Sequence, residues 1–175
     1  IGDKSRRVSR LAGELAALTD ADRSLAERAG ELCKADLVSE MVLEFSDMQG
    51  IAGAYYARAD GEDSLVADAI EQHYWPLQSG GELPASPVAT AVALADRLDT
   101  LVGIFGIGQT PTGSKDPFGL RRASIAVLRL IIDNNLELDL RASIALALGG
   151  FEDGVVAAGT DDTVIEYMRR QKMGR

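Results

Sequence analysis

The chain is poor in the residues that build metal centres and disulfides. It contains one cysteine, Cys33, and one histidine, His73, among 175 residues. A zinc site of the usual Cys and His kind needs about three or four such ligands, so these two cannot complete one. A lone cysteine cannot form an internal disulfide, and we therefore expect a reducing, cytoplasmic compartment.

Other scarcities exclude further classes of protein. Aromatic residues make up 5% of the chain, too few for a platform that stacks single-stranded bases. No apolar run reaches the roughly 18 residues that a membrane-spanning helix needs. The net charge of −9 argues against wrapping duplex DNA or lying on an anionic membrane. Two terminal basic clusters, residues 6–10 and 169–172, are predicted to be solvated faces. The chain begins with Ile rather than Met, which favours a piece of a longer protein.

Apolar residues recur at spacings of three and four along most of the chain, which is typical of amphipathic helices. No segment shows the period of two expected of a half-buried strand. Helices are predicted over residues 3–18, 49–59, 65–74, 88–105, 117–133, 140–148 and 163–172, with one long helix or two in line over 19–45. The pattern predicts an all-α fold: one compact bundle to about residue 135, then a hinge and a short helical appendage over 136–175.

Several predicted helices begin next to a side chain that can cap them. A side-chain oxygen at this position accepts a hydrogen bond from a free backbone N–H of the first turn. Residues of this kind stand before four predicted helices: Thr19, Ser86, Asp116 and Asp139. Ser86 and Asp116 are each followed by proline, which suits the first helical position.

Two carboxylates stand among apolar neighbours inside predicted helices. Asp36 lies in KADL and Asp96 in LADRL. Carboxylates of this kind can hold Mg²⁺ or Mn²⁺. The alternative is a structural acid that accepts a hydrogen bond from a neighbouring helix or from Arg97. His73, taken alone, is more typical of a half-buried polar tip at the end of a helix.

A polar loop offers a place for an anion. Gly113, Ser114 and Lys115 precede a predicted helix whose first turns carry Arg121 and Arg122. Free N–H groups at a helix N-terminus attract anions, and arginines reinforce the attraction. A phosphate or a nucleic-acid backbone would fit there. The alternative is a solvated loop whose arginines pair with the many acids of the chain.

Two long runs of residues resemble a known family. Residues 34–45 (KADLVSEMVLEF) with 48–56 (MQGIAGAYY), and 95–105 (ADRLDTLVGIF) with 111–122 (PTGSKDPFGLRR), resemble the β-subunit family of the bacterial tetrameric glycyl-tRNA synthetases. The runs are long and nearly contiguous, and the resemblance covers roughly residues 4–140. The β subunits of that family are several times longer, so the chain resembles an internal piece of one.

In that family this region is similar to HD domains, helical bundles named for a His-Asp metal dyad. By this resemblance Ala35-Asp36 stands where the dyad would be, Asp96 falls where a later aspartate ligand would be, and His73 is similar to a further histidine. The resemblance implies a degenerate HD-like domain over residues 1–135, with 136–175 a hinge and the start of a following helical segment. Asp36, His73 and Asp96 would be remnants, with no catalytic residue and no metal on this chain.

The resemblance also implies a function. The family joins glycine to tRNA(Gly) in a heterotetramer that uses ATP and Mg²⁺ on its α subunit, away from membranes, while the β subunit binds tRNA. This region would be a non-catalytic module, without a cofactor, for tRNA positioning or subunit contacts. Its candidates for the RNA backbone are Gly113, Ser114, Lys115, Arg121 and Arg122.

Two alternatives stay open at this point. One is an active metal-dependent phosphohydrolase of the HD type, built on Asp36, His73 and Asp96. The other is a bundle that only docks a protein partner, with a hydrophobic patch on an exposed face and no RNA footprint.

Overall fold

The computed structural model describes residues 1–173, which form nine α-helices and no β-strand. The helices are α1 (Gly2–Thr19), α2 (Arg23–Leu32), α3 (Glu40–Glu44), α4 (Ile51–Ala59), α5 (Ser64–Gln72), α6 (Pro87–Gly106), α7 (Leu120–Asp133), α8 (Leu140–Leu148) and α9 (Thr160–Met173). Two short 3₁₀ turns lie at Ala35–Val38 and Ser46–Met48. The predicted all-α fold is confirmed. Within this described part, no helix is both long enough and apolar enough to cross a bilayer.

Contacts divide the chain into two units, Ile1–Asp96 and Arg97–Arg175. This division describes which residues contact each other within the chain and does not test the predicted domain boundary near residue 135. That boundary stays a prediction, and so does the likeness to an HD domain. The final two residues of the predicted 136–175 segment lie outside the described residues.

In the first unit, α1 and α2 approach each other closely. Ser9 Oγ donates a hydrogen bond to the Glu27 carbonyl at 2.8 Å. A Cβ atom at Gly30 would lie 2.7 Å from Ser9 Cα, a backbone atom that cannot move aside. Leu11 and Leu15 of α1 are almost fully buried. The two helices therefore pack backbone against backbone, which only glycine permits at this point.

In the second unit, the segment that joins α8 to α9 packs on the last turn of α6. Ala157 N donates to the Gly106 carbonyl at 3.0 Å. A methyl group at Gly106 would overlap the side chain of Val156, and one at Gly103 would lie 3.1 Å from the Phe151 ring. Helix α9 then contacts both α7 and α8. These glycines let the returning chain reach the helix backbone.

The second helix begins later than the predicted Thr19 cap, so that prediction is wrong. Thr19 is the last residue of α1, and its hydroxyl donates back to the Ala16 carbonyl at 3.2 Å. Asp20 adopts a left-handed conformation, with φ 59°, that ends α1. Asp22 then caps α2 by accepting a hydrogen bond from Leu25 N at 2.9 Å.

The long helical stretch predicted over 19–45 is interrupted. Helix α2 ends at Leu32, and the chain passes through a 3₁₀ turn before the five-residue α3. The reason lies in a contact distant in sequence. The Asp36 carboxylate, 3% exposed, accepts hydrogen bonds from Gly50 N at 2.6 Å and Gly53 N at 3.1 Å. Asp36 makes both hydrogen bonds from the 3₁₀ turn Ala35–Val38, where the α-helix is interrupted.

Two predicted helix starts are confirmed. Ser86 Oγ accepts a hydrogen bond from Ala89 N at 3.1 Å at the start of α6. Asp139 accepts one from Ala142 N at 3.1 Å at the start of α8. Helix α9 begins at Thr160, three residues before the predicted start at Thr163.

Helix α7 begins at Leu120 rather than at the predicted Pro117. Gly119, with φ 67°, is its first flanking residue and turns the chain into the helix. Asp116 still acts as the capping residue from further away. Its carboxylate accepts hydrogen bonds from Leu120 N at 2.8 Å and Arg121 N at 2.9 Å. The residue that caps the helix is therefore the predicted one, although the first turn is displaced.

We expect Gly30→Ala to destabilise the 175-residue chain by about 1–3 kcal/mol, because the added methyl group forces α1 and α2 apart. Gly2→Ala is the matched control in the same unit, since its nearest atom would be 3.9 Å away on the Arg6 side chain. Urea denaturation followed by circular dichroism measures both. Equal stability of the two variants would contradict the close approach.

Candidate functional site

His73 and Asp96 meet at the ammonium group of Lys34. Lys34 Nζ lies 2.9 Å from His73 Nε2 and 3.2 Å from Asp96 Oδ2. A second ammonium, that of Lys4 on α1, lies 3.4 Å from Asp96 Oδ1. We call these four residues the lysine cluster. It joins α1, the segment after α2, the end of α5 and α6, all within the first unit.

The imidazole of His73 is fully buried, so the predicted half-buried tip is wrong. His73 follows the last residue of α5, and Nδ1 lies 2.6 Å from the Ile70 carbonyl oxygen. A carbonyl can only accept, so Nδ1 carries the proton in this contact. Nε2 is then free to accept a hydrogen bond from the Lys34 ammonium. The turn at the end of α5 thus fixes the orientation of the ring.

An aromatic ring lines the same site. Lys34 Nζ lies 4.2 Å from the centroid of the Tyr74 ring, and that ring lies 3.9 Å from the His73 ring. A cation over an aromatic face is attracted by the electrons of the ring. Lys34, only 7% exposed, therefore has a carboxylate, an imidazole nitrogen and a ring around its ammonium. These contacts replace the water that burial removes.

The electrostatics of the cluster keep its carboxylate charged. Burial by itself raises the pKa of Asp96, but the nearby ammonium groups of Lys34 and Lys4 outweigh it and hold that pKa well below its usual range. Burial, reinforced by the Asp96 charge, raises the pKa of the neighbouring Cys33 thiol to about 12. Burial also raises the pKa of the Tyr74 phenol. At neutral pH the cluster is a buried ion pair beside a protonated thiol.

Asp36 takes a different role from Asp96. Its Oδ2 is bound by the two backbone N–H groups at the start of α4, which is the structural role that the sequence left open for it. The other oxygen, Oδ1, is buried and has no hydrogen-bond partner within residues 1–173. The structure therefore places Asp36 as a cap for α4 and places His73 and Asp96 on Lys34.

The residues present do not fit a divalent cation. The Lys34 ammonium stands between His73 and Asp96, where a second positive charge would be repelled. Across residues 1–173, no three His, Cys, Asp or Glu side chains are grouped as metal ligands would be. The arrangement supplies an internal cation instead, and we derive no metal-dependent step from it.

Sequence reasoning missed Lys34, Lys4 and Tyr74. A signal for Lys34 was present, because it is a single basic residue between the apolar pair Leu32-Cys33 and Ala35. A charged residue in such a context is either at the edge of the buried face or paired inside it. Only the structure shows which of the acidic residues is its partner.

The predicted anion loop lies in the second unit and is exposed at all five candidate residues. We call Gly113, Ser114, Lys115, Arg121 and Arg122 the basic loop. It is closed by a pair of backbone hydrogen bonds between Thr112 and Lys115, at 3.0 and 3.3 Å. Arg121 donates to the Gly113 carbonyl at 3.3 Å, which ties the loop to the start of α7.

The prediction that free N–H groups at the start of α7 would attract an anion is wrong for two of them. The N–H groups of Leu120 and Arg121 are bound by the carboxylate of Asp116, so they are not free for an external anion. The side chains remain available. Lys115 and Arg122 form no ion pair with any of residues 1–173, although the chain is rich in acids. The loop would therefore bind an external anion through its exposed Lys115 and Arg122 side chains rather than through the backbone N–H groups of Leu120 and Arg121.

We expect Lys34→Met to destabilise the 175-residue chain by about 3 kcal/mol, because it removes the more deeply buried of the two ammonium groups that neutralise Asp96. Lys4→Met is the matched control and should cost about 1 kcal/mol or less, since Lys4 is partly exposed. Urea denaturation at pH 7 measures both. Adding Asp96→Asn to Lys34→Met should restore part of the loss, and a further loss in that double variant would contradict the buried ion pair.

The stability that Asp96 contributes should depend on pH. Its folded pKa is lowered, so the contribution is complete above the unfolded value of about 3.9 and is lost as pH falls through that value towards the folded one. The difference in unfolding free energy between the parent chain and Asp96→Asn should shrink between about pH 5 and pH 3. Urea denaturation across this range tests it. Glu137→Gln, at an exposed position, is the control and should differ little from the parent at any pH. A constant difference for Asp96→Asn would refute the assignment.

Comparison with known proteins gives the family. Residues 1–173 match the family described as "Glycyl-tRNA synthetase beta subunit". The chain is 54% identical over 166 residues to the glycine–tRNA ligase beta subunit of Stutzerimonas stutzeri (strain A1501), covering 95% of this chain and 24% of that protein. Identity is also 54% to the beta subunit of Pseudomonas fluorescens (strain Pf0-1) and 52% to that of Actinobacillus pleuropneumoniae serotype 7 (strain AP76), with the same coverage.

The chain thus spans about a quarter of the length of these curated relatives. The resemblance seen in residues 34–56 and 95–122 is confirmed along almost the whole sequence. A match of this extent, with half of the aligned residues identical, does not arise from helical composition alone, and the chain belongs to the glycyl-tRNA synthetase beta subunit family.

Proposed function

We propose that this chain is a non-catalytic module of a glycine–tRNA ligase and that its basic loop helps to position tRNA. The observation that carries the proposal is the pair of exposed cations Lys115 and Arg122, which form no ion pair within residues 1–173. In a chain of net charge −9, acids are abundant enough to neutralise most basic side chains. Cations left unpaired in such a chain suit an external polyanion.

The chemistry of the loop suits the RNA backbone rather than the bases. Lysine and arginine bind phosphate oxygens, and arginine does so with two parallel N–H groups. Contacts of this kind fix position and orientation without reading sequence. None of the five residues of the basic loop is aromatic, so these five side chains and backbones suit phosphate contacts rather than base stacking. The loop would therefore hold tRNA in register for chemistry performed elsewhere.

The parent enzyme in this proposal attaches glycine to tRNA(Gly) with ATP, in the cytoplasm. The relatives are named glycine–tRNA ligase beta subunits, which supports a ligase built from more than one kind of subunit. We place ATP and Mg²⁺ on the companion α subunit of a heterotetramer. The buried Lys34 supports the assignment of this region as non-catalytic, because its ammonium occupies the space between His73 and Asp96.

The test uses the full-length β subunit assembled with its companion. The double variant Lys115→Ala and Arg122→Ala should bind tRNA(Gly) roughly tenfold more weakly at moderate salt, because two phosphate contacts are lost. The slope of log affinity against log salt concentration should fall by about 2. Filter binding or fluorescence anisotropy at several salt concentrations measures both quantities.

The matched control is the double variant Arg169→Ala and Arg170→Ala, which removes two cations already paired with Glu166. It should leave tRNA affinity and its salt slope close to the parent values. If the basic-loop variant behaves like this control, the loop does not contact the RNA backbone.

A further inference from the structure

We propose that an exposed acidic and apolar groove in the first unit docks a basic amphipathic helix of the companion subunit. This inference rests on the proposed function, in which such a subunit is present. The groove has a volume of about 830 Å³. Six residues around α3 and α4 line it: Glu40, Met41, Leu43, Glu44, Phe45 and Tyr56. We call it the α3 groove.

Helix α3 leaves much of its apolar surface uncovered. Leu43 is 73% exposed and Phe45 is 54% exposed, although both are large apolar side chains. Only Val42 of this short helix is turned inward, at 5% exposed. The 3₁₀ turn before α3 adds Val38, at 68% exposed. Leu43 and Phe45 line the same groove, and exposed apolar side chains grouped in this way are typical of a place where another molecule binds.

Negative charge borders this apolar surface. Glu40 and Glu44 form no ion pair with any of residues 1–173, and none of the described side chains that line the groove is basic. Other acids of the same unit are paired: Glu27 with Arg23 at 2.8 Å, and Glu62 with Arg28. The α3 groove therefore keeps two uncompensated carboxylates beside exposed apolar side chains.

A second pocket on the same unit repeats this chemistry. It has a volume of about 420 Å³ and combines apolar side chains with carboxylates. Its lining includes Ile51, Trp75 and Leu77 together with Asp47, Glu71 and Glu82. These three acids likewise form no ion pair within residues 1–173. The aromatic and apolar groups suit a hydrophobic anchor, and the carboxylates suit a lysine or arginine next to it.

Together these features select the occupant. A phosphate backbone would be repelled by Glu40 and Glu44, so the groove is unsuited to RNA. A second copy of this chain in a two-fold contact would set the same two carboxylates against each other. A helix with an apolar stripe flanked by Lys and Arg matches both the exposed side chains and the charge. In the assembly proposed above, either the companion subunit or the rest of the β polypeptide can supply it, since this chain spans about a quarter of its relatives' length. We commit to the companion subunit, and the crosslink below separates the two.

Photo-crosslinking in the assembled full-length enzyme tests the location. With p-benzoylphenylalanine in place of Leu43, irradiation should join the β subunit to the companion subunit, at a peptide with apolar residues flanked by Lys and Arg. The same group in place of Ile132, an exposed apolar residue of α7, is the matched control and should give no such product. A product within the β polypeptide, a product with tRNA, or no product at position 43 would overturn the proposal.

A charge-reversal variant tests the chemistry. Glu40→Lys with Glu44→Lys should weaken association of the two purified subunits at least tenfold at low salt, measured by sedimentation or titration calorimetry. Glu137→Lys with Glu152→Lys changes the same net charge at exposed positions and should leave association unchanged. Equal affinity of the two double variants would refute a role for the α3 groove.

These outcomes are separable from a failure of the proposed function. The tRNA affinity of the basic-loop variant reports on tRNA positioning, whereas the crosslink and the subunit affinity report on the α3 groove. A crosslink confined to the β polypeptide, together with a reduced salt slope in the basic-loop variant, would reject only the docking surface. An assembled enzyme that does not charge tRNA(Gly) with glycine would reject the proposed function itself.

Discussion

The buried contacts of the Lys34 ammonium with His73 and Asp96 are the constraint on which the arrangement of the first unit depends. The ammonium brings the segment after α2, the end of α5 and the middle of α6 to one point, with Lys4 of α1 as a second cation on the same carboxylate. A buried charge of this kind is costly unless every partner is in place. An arrangement of these helices that separated Lys34 from Asp96 would leave a buried charge without this partner and would therefore be less stable.

The same constraint accounts for the irregular chain between α2 and α4. Lys34 and Asp36 are two residues apart and bind different partners, one at the ends of α5 and α6 and the other at the start of α4. Between these two anchors the chain takes the 3₁₀ turn Ala35–Val38 rather than continuing α2. The short α3 that follows keeps little of its surface buried. The exposed α3 groove is thus a consequence of how the interior is connected.

How far sequence reasoning succeeded depended on the range of the interaction. The caps at Ser86 and Asp139 were predictable because the hydrogen bonds join residues three apart. The break after Leu32 was not, because it depends on Asp36 reaching Gly50. At the candidate site, its apolar neighbours singled out Asp96 and the family resemblance singled out His73, but the partner they share is separated from His73 by 39 residues and from Asp96 by 62. Periodicity carries no information about such distant pairs. Asp116 was correctly predicted as the capping residue of α7, yet the helix begins at Leu120, three residues after the predicted start.

The neighbour of Lys34 has a chemical consequence of its own. The Cys33 sulfur is fully buried and donates to the Gly30 carbonyl at 3.3 Å, with a pKa raised to about 12. Peroxides and electrophiles attack the thiolate, which is scarce at such a pKa. The single thiol of this chain should therefore react only slowly with oxidants while the fold is intact. Redox chemistry would reach Cys33 only in molecules that had already opened.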